Sequence, residues 1–324
     1  GAEPTPAPGR RPCQSYARSG TPYAAPPEAH GAIGPRAGDS HPDDPDIVRQ
    51  AAEDYIDHCV SDRPYDLEYM SHATMLGTRL VVAAKHWLPA VQMLRECWTS
   101  RFGNSLAGNL SPDLDGLVDP QLLAYVRDAV KNGVAGRQPK INARWRTTPH
   151  ASAAEFLDEA YQKIGKDLRK GRVILCDADL EAELMGILAT PIGRVPKQNP
   201  DRTLSDEGRF VHDERAVNLA GDKYNHPPAI QPRHRELART IIWWKLRVPG
   251  VPILMAKYDV DSAFKLLWVR AEDVCLFATE LPGKPIGLET RVLVLHVTLT
   301  FGFGGAPGEY MAFAWLDKQL HESA

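Results

Sequence analysis

Cysteine is scarce in this chain. Five thiols (Cys13, Cys59, Cys97, Cys176, Cys275) are scattered over 324 residues, with no Cys-x-x-Cys and no Cys/His pair at metal spacing. That pattern argues against a disulfide framework or a zinc site and reads as reduced, intracellular thiols. Long hydrophobic runs are also lacking: no apolar stretch approaches the ~20 residues that span a bilayer. The front has no apolar signal-peptide core, so the expected setting is cytosolic or nuclear, with no membrane partner. Strong net charge is missing too, the formal value being −3, but the charge is segregated. From Asp39 to Glu68 ten acidic residues face two basic ones, whereas Arg137 to Lys257 carries 21 Lys and Arg against 15 Asp and Glu. An acidic front and a basic middle suit a surface that meets phosphates, although a solvated face would look the same.

The remaining composition, 43% hydrophobic and 24% charged, is that of a soluble globular protein. Residues 1–45 are rich in Pro, Ala and Gly with hardly a large aliphatic side chain, and are expected to be disordered. Residues 46–150 read as a helical N-terminal region. Asp46 is placed to cap a helix over 47–56. A longer periodic stretch runs from Leu67 to Trp98, with a kink or break at Pro89, and another spans 120–133 up to Gly133. A helix over 152–170 is expected to open with a capping box from Ser152 and Glu155 and to end at Gly171. Beyond it the texture turns to short strands at 172–176, 209–212, 251–258 and 291–298, with helices near 232–246 and 306–320. The class is α+β. Trp243-Trp244, with Leu246 and Val248, reads as packing rather than a base-stacking platform, and His212, His226 and His234 lack metal-ligand spacing.

Three stretches carry chemistry. In Lys257-Tyr258-Asp259-Val260-Asp261-Ser262-Ala263-Phe264 an apolar strand runs into a carboxylate; an ordinary helix N-cap at Asp259 or Asp261 is the alternative. Phe301-Gly302-Phe303-Gly304-Gly305-Ala306-Pro307 is a glycine-rich loop that allows close backbone approach before a helix. Thr190-Pro191-Ile192-Gly193-Arg194-Val195-Pro196-Lys197, followed by Gly208 to Asn218, places Arg209 and Arg215 about a short strand.

Together these stretches resemble the reverse transcriptases (RNA-directed DNA polymerases) of retroelements. Thr-Pro-Ile-Gly-x-Val-Pro-Lys with Arg-x-x-x-Asp-x-Arg-x-x-Asn looks like the fingers hairpin, Lys-x-Asp-x-x-x-Ala-Phe like the first palm motif, and Phe-Gly-x-x-x-Ala-Pro like the second. The resemblance covers about 155–324, loosely 118–154, and not the first hundred residues. It implies a partial polymerase palm and fingers over 151–324, an antiparallel sheet packed on helices, with a helical N-terminal extension. It also implies template-directed nucleotidyl transfer with two Mg²⁺ ions, on an RNA or DNA template–primer and dNTP. Asp259 would be the catalytic, metal-binding carboxylate and the Val260 carbonyl a further ligand. Phe264 would be the steric gate, and Arg209 would clamp the triphosphate. Phe301 and Gly302 would face the nucleotide, with Pro307 in the same loop. Asp213, Arg215 and Asn218 would brace the hairpin near the template, with Lys197 toward the template backbone.

One motif of the family is missing. The third palm motif needs an aromatic-x-Asp-Asp, and the only Asp-Asp pair here is Asp43-Asp44, between prolines in the acidic front. Asp261 and Asp317 are poor substitutes. A truncated polymerase with little or no activity is therefore expected, its partner being the missing remainder; an incomplete sheet should then leave an edge and an apolar face bare. A non-catalytic nucleic-acid-binding relic is the second hypothesis, and a helical interaction module the third.

Overall fold

The computed structural model describes residues 44–64, 66–103, 110, 114–140, 142–199, 201–231, 233–256 and 260–323. The Pro/Ala/Gly-rich front as far as Asp43 and the segment Lys257–Asp259 lie outside the described residues, as does most of the loop after residue 103. Three helices come first: α1 (Pro45–Cys59), α2 (Leu67–Ala83) and α3 (Trp87–Phe102). Asp44 rather than Asp46 caps α1. Its carboxylate accepts the Asp46 N–H at 2.9 Å, and Pro45 takes the first helical position, where no N–H is needed. The break expected at Pro89 falls earlier, at Ala84–His86, where Lys85 adopts a left-handed conformation (φ 57°). Pro89 then sits in the first turn of α3, which tolerates it for the same reason as α1 tolerates Pro45.

Next come α4 (Pro120–Asn132), which stops at Gly133 as its pattern predicts, and α5 (Ala151–Ala154) and α6 (Leu157–Leu168). The single helix expected over 152–170 is thus two, and no capping box forms. The Ser152 hydroxyl instead accepts the Arg194 N–H at 3.2 Å, so a tertiary bond outcompetes the local cap. The strands are β1 (Val173–Asp177), β2 (Ile192–Gln198), β3 (Leu204–His212), β4 (Ala278–Pro282) and β5 (Arg291–His296). Between β3 and β4 lie α7 (Arg215–Ala220) and α8 (His234–Arg247), and the final helix is α9 (Ala306–Ser323). The result is a mixed α/β fold with two small antiparallel sheets: β1-β5-β4, and the hairpin β2–β3.

The three-stranded sheet carries no bare apolar face. Val173–Cys176, Ala278–Leu281 and Val292–His296 are buried, and their apolar members belong to one cluster that reaches from Val48 to Ala306. The cover comes from the N-terminal helices. Tyr55 of α1 is buried with its hydroxyl donating to Val173 O (3.3 Å) and accepting the Leu175 N–H (3.0 Å). α2 approaches β1 so closely that a Cβ on Gly77 would lie 1.9 Å from the Leu175 carbonyl oxygen. Only glycine fits there. A second cluster joins α4 to α9 through Leu122, Leu123, Val126, Val130, Ala312 and Leu316.

The sequence pattern misses β4, because its centre is a buried charge. Glu280 is fully buried, and its carboxylate receives Arg144, Arg146 (Nε, 3.2 Å) and Arg291 (3.0 Å). A charge so placed persists only because it is multiply paired. The strand expected over 251–258 is not formed across its described part. Residues 251–256 are irregular and exposed, Leu254 at 88% and Met255 at 71%. Pro252 supplies no ladder donor, and no described strand pairs with the segment; Val251 bonds instead to the end of α8, its N–H donating to Val248 O (3.3 Å) and its carbonyl accepting from Lys245 (3.4 Å). Trp243 and Trp244 also depart from expectation. α8 buries none of its residues; the two indoles lie 4.9 Å apart edge to face, and the Arg247 guanidinium sits 4.3 Å over Trp243. Ile242 and Leu246 are exposed as well, so the apolar residues of α8 do not fill a gap between hairpin and sheet.

Candidate nucleic-acid interface

The hairpin β2–β3 and the glycine-rich loop before α9 meet at the hairpin's base. Ile192 pairs with His212 in register, the Asp213 N–H donates to Pro191 O (2.7 Å), and the His212 N–H donates to Phe301 O (2.9 Å). The chain at Phe301 therefore extends the hairpin's hydrogen bonding. Gly302 follows with φ 134°, and a Cβ there would lie 2.0 Å from the His212 carbonyl oxygen. Asn218 of α7 then holds the loop from both sides. Its Nδ2 donates to Gly302 O (3.0 Å) and its Oδ1 accepts the Gly304 N–H (2.7 Å). Beneath them Glu214 is buried and accepts the Thr300 hydroxyl at 3.1 Å. Burial pushes its carboxyl up to about 8, so it is mainly protonated at neutral pH.

Phe264 reaches the same place from a short 3₁₀ turn (Ala263–Leu266). Its ring lies 5.7 Å from that of Phe301, tilted by 32°, and 6.1 Å from Tyr310. Phe301 itself is 52% exposed, so one aromatic face of the group looks outward. Arg209 lies on the exposed side of β3, paired across the hairpin with Val195. It stands three residues from His212, about 10 Å along an extended strand. The structure thus brings together Phe264, Phe301, Gly302 and Asn218, with Arg209 on the adjoining strand.

The other predicted residues serve the scaffold. Arg215 chelates Asp213 (Nε–Oδ1 2.7 Å), and the His150 imidazole bonds the other carboxylate oxygen at 2.9 Å. The Arg215 bond, ahead of the His150 bond, holds the Asp213 carboxyl well below the ordinary range. Lys197 pairs with Glu207 across the hairpin at 2.5 Å, and Pro307 occupies the first turn of α9. Under the hairpin, His212 and His296 meet edge to face at 4.4 Å, both buried. Desolvation keeps both imidazoles neutral, that of His296 lowered to about 3. Glu214 falls at an unspecified position of the hairpin pattern, and His150 and His296 lie outside it, so the sequence signals none of the three as part of this base.

Asp259, the carboxylate on which metal chemistry would turn, lies outside the described residues. Its neighbour Val260 is 48% exposed, and the Asp261 carboxylate turns to Lys170, 3.7 Å away. Asp317 is an exposed partner of His321 on α9 (3.6 Å). Among the described residues no cluster of three His, Cys, Asp or Glu stands ready for a metal ion. Among the described residues the Val260 carbonyl by itself is far short of the oxygen shell that Mg²⁺ demands. What the arrangement offers is an outward aromatic face and a braced glycine loop, with an exposed guanidinium on the adjoining strand, which suit stacking and phosphate contact. No protein-family model, no curated protein and no solved structure matches this chain.

Proposed function

We propose that this chain forms the fingers and partial palm of an RNA-directed DNA polymerase and engages template–primer at the base of the β2–β3 hairpin. The observation that carries the reading is the convergence of three segments distant in sequence. The hairpin end, Phe264 and the Phe301–Gly304 loop are joined by the Asn218 bonds, the His212–Phe301 bond and the paired rings. Those are the segments whose residue patterns resemble the polymerase motifs. In this reading Arg209 meets phosphate, Phe264 and Phe301 meet the sugar and base, and Asn218 keeps the loop in position. Asp259 is the family's first carboxylate. Its two Mg²⁺ ions would need further carboxylates, which the aromatic-x-Asp-Asp motif supplies in the family and no stretch of these 324 residues contains.

A gel shift on a primer–template duplex at increasing salt tests the reading. Retardation should weaken as salt rises, because phosphate contacts release counterions, and Arg209→Ala should lower affinity about three- to tenfold. No retardation even at low salt would remove the nucleic-acid assignment. Retardation unchanged by Arg209→Ala would remove the hairpin's part in it.

A further inference from the structure

A cleft of about 200 Å³ opens between the end of α3, α4 and the turn that follows Phe264. None of its lining residues belongs to the hairpin or the glycine loop. Three cations converge on it: Lys170, Arg172 and Lys265. Their side chains are 50%, 9% and 30% exposed, so the charge sinks progressively into the protein. One buried carboxylate answers two of them. Asp167, 10% exposed, pairs with Lys265 and lies 3.5 Å from Arg172. Among the described residues Lys170 pairs with the Asp261 carboxylate, 87% exposed and 3.7 Å away at the rim. Phe102 and Trp268 line the same space and give it an apolar wall.

Among the described residues, three cations against Asp167 within the cleft and Asp261 at its rim leave a positive surplus, and an anion entering there would gain charge-assisted hydrogen bonds. A phosphate, with several acceptor oxygens for three converging donors, suits the cations better than a single carboxylate, and the apolar wall favours a ligand with a flat carbon part. We infer that this cleft binds the phosphate group of a nucleotide, with the three cations on the phosphate and the aromatic wall beside the nucleoside. The ligand is a free mononucleotide or the phosphorylated end of a strand; the recognition chemistry is the same. The inference stands on the cleft alone and does not depend on the polymerase reading.

Titration of the whole chain with adenosine monophosphate at low salt, by calorimetry and tryptophan emission, is the test, since Trp98 and Trp268 both line the cleft. Binding of the monophosphate with a change in emission, weaker binding of inorganic phosphate and none of adenosine are expected. Lys170→Glu should weaken the monophosphate about tenfold or more while leaving the melting temperature in place, because Lys170 is half-exposed and loosely paired. A 5′-phosphorylated oligonucleotide that outcompetes both the monophosphate and its unphosphorylated twin assigns the site to strand ends. Equal or better binding of the monophosphate assigns it to free nucleotide. No heat and no emission change up to about 10 mM monophosphate, a level that would detect even weak millimolar affinity, overturns the inference. Unchanged affinity in a folded Lys170→Glu protein overturns it equally.

Discussion

Gly302 is the residue on which the hairpin–loop junction turns. Its φ of 134° is open to glycine, and the 2.0 Å approach of an added Cβ to the His212 carbonyl leaves a side chain nowhere to go. Gly302→Ala should therefore cost about 2–4 kcal/mol, through backbone strain and a clash with main chain that cannot yield. Asn218→Ala removes two hydrogen bonds to the same loop and should cost about 1–2 kcal/mol. Urea midpoints measure both. A Gly302→Ala protein within about 0.5 kcal/mol of the parent would mean that the loop is not held as described. Gly302 was legible in the sequence as part of a glycine-rich loop. Its steric necessity was not, because the atom it avoids is 90 residues upstream. Arg215 shows the reverse: it is placed by a motif, yet its guanidinium is committed to Asp213 two residues away.

Among the elements, α8 differs most from its neighbours. It carries Arg235, Arg239, Lys245 and Arg247 against Glu236, has apolar residues on several sides, and buries none of them. α2, by contrast, buries Tyr69, Met70, Ala73, Leu76 and Leu80 and lies on β1. Helical stability in proteins comes largely from packing of an apolar face, so α8 depends on its own hydrogen bonds. Its amides should exchange with solvent about a hundredfold or more faster than those in the centre of α2. Comparable protection in the isolated chain would show that something packs on α8. Periodicity found this helix but misjudged its surroundings, since spacing reports which residues share a face and not what meets that face. The same limit explains the missed β4, whose buried Glu280 depends on arginines from two other segments.

For the whole molecule, the three buried titrating groups under the hairpin pull the dependence of stability on pH in opposite directions. His212 and His296 have folded-state values below their ordinary 6.5, that of His296 near 3, both through desolvation. Their contribution is complete above pH 6.5 and is lost as pH falls toward the folded-state values. Glu214 runs the other way. Its folded value of about 8 lies above the ordinary 4.5, so its contribution is complete below pH 4.5 and is lost as pH rises through 8. Each group changes stability by about 1.4 kcal/mol per pH unit inside its window. Just below pH 6.5 the two histidines together outweigh the glutamate; from 6.5 to 8 the glutamate acts against neither of them. Stability should peak near pH 6.5, with the urea midpoint declining on both sides, and Glu214→Gln should flatten the alkaline limb. A midpoint that climbs steadily through pH 8 would contradict the burial of Glu214.

Chain-local patterns were enough to read the mixed helical and strand character, the helix stop at Gly133, and the three motif stretches. Each of these depends on residues within a turn or two of one another. Which segments come to lie side by side is a different matter. The sheet is covered by helices that no motif reaches, the expected strand at 251–256 finds no partner, and three cations gather at one cleft from residues 170, 172 and 265. Pairing, burial and charge balance are settled between residues far apart along the chain, and a linear pattern carries no record of that distance.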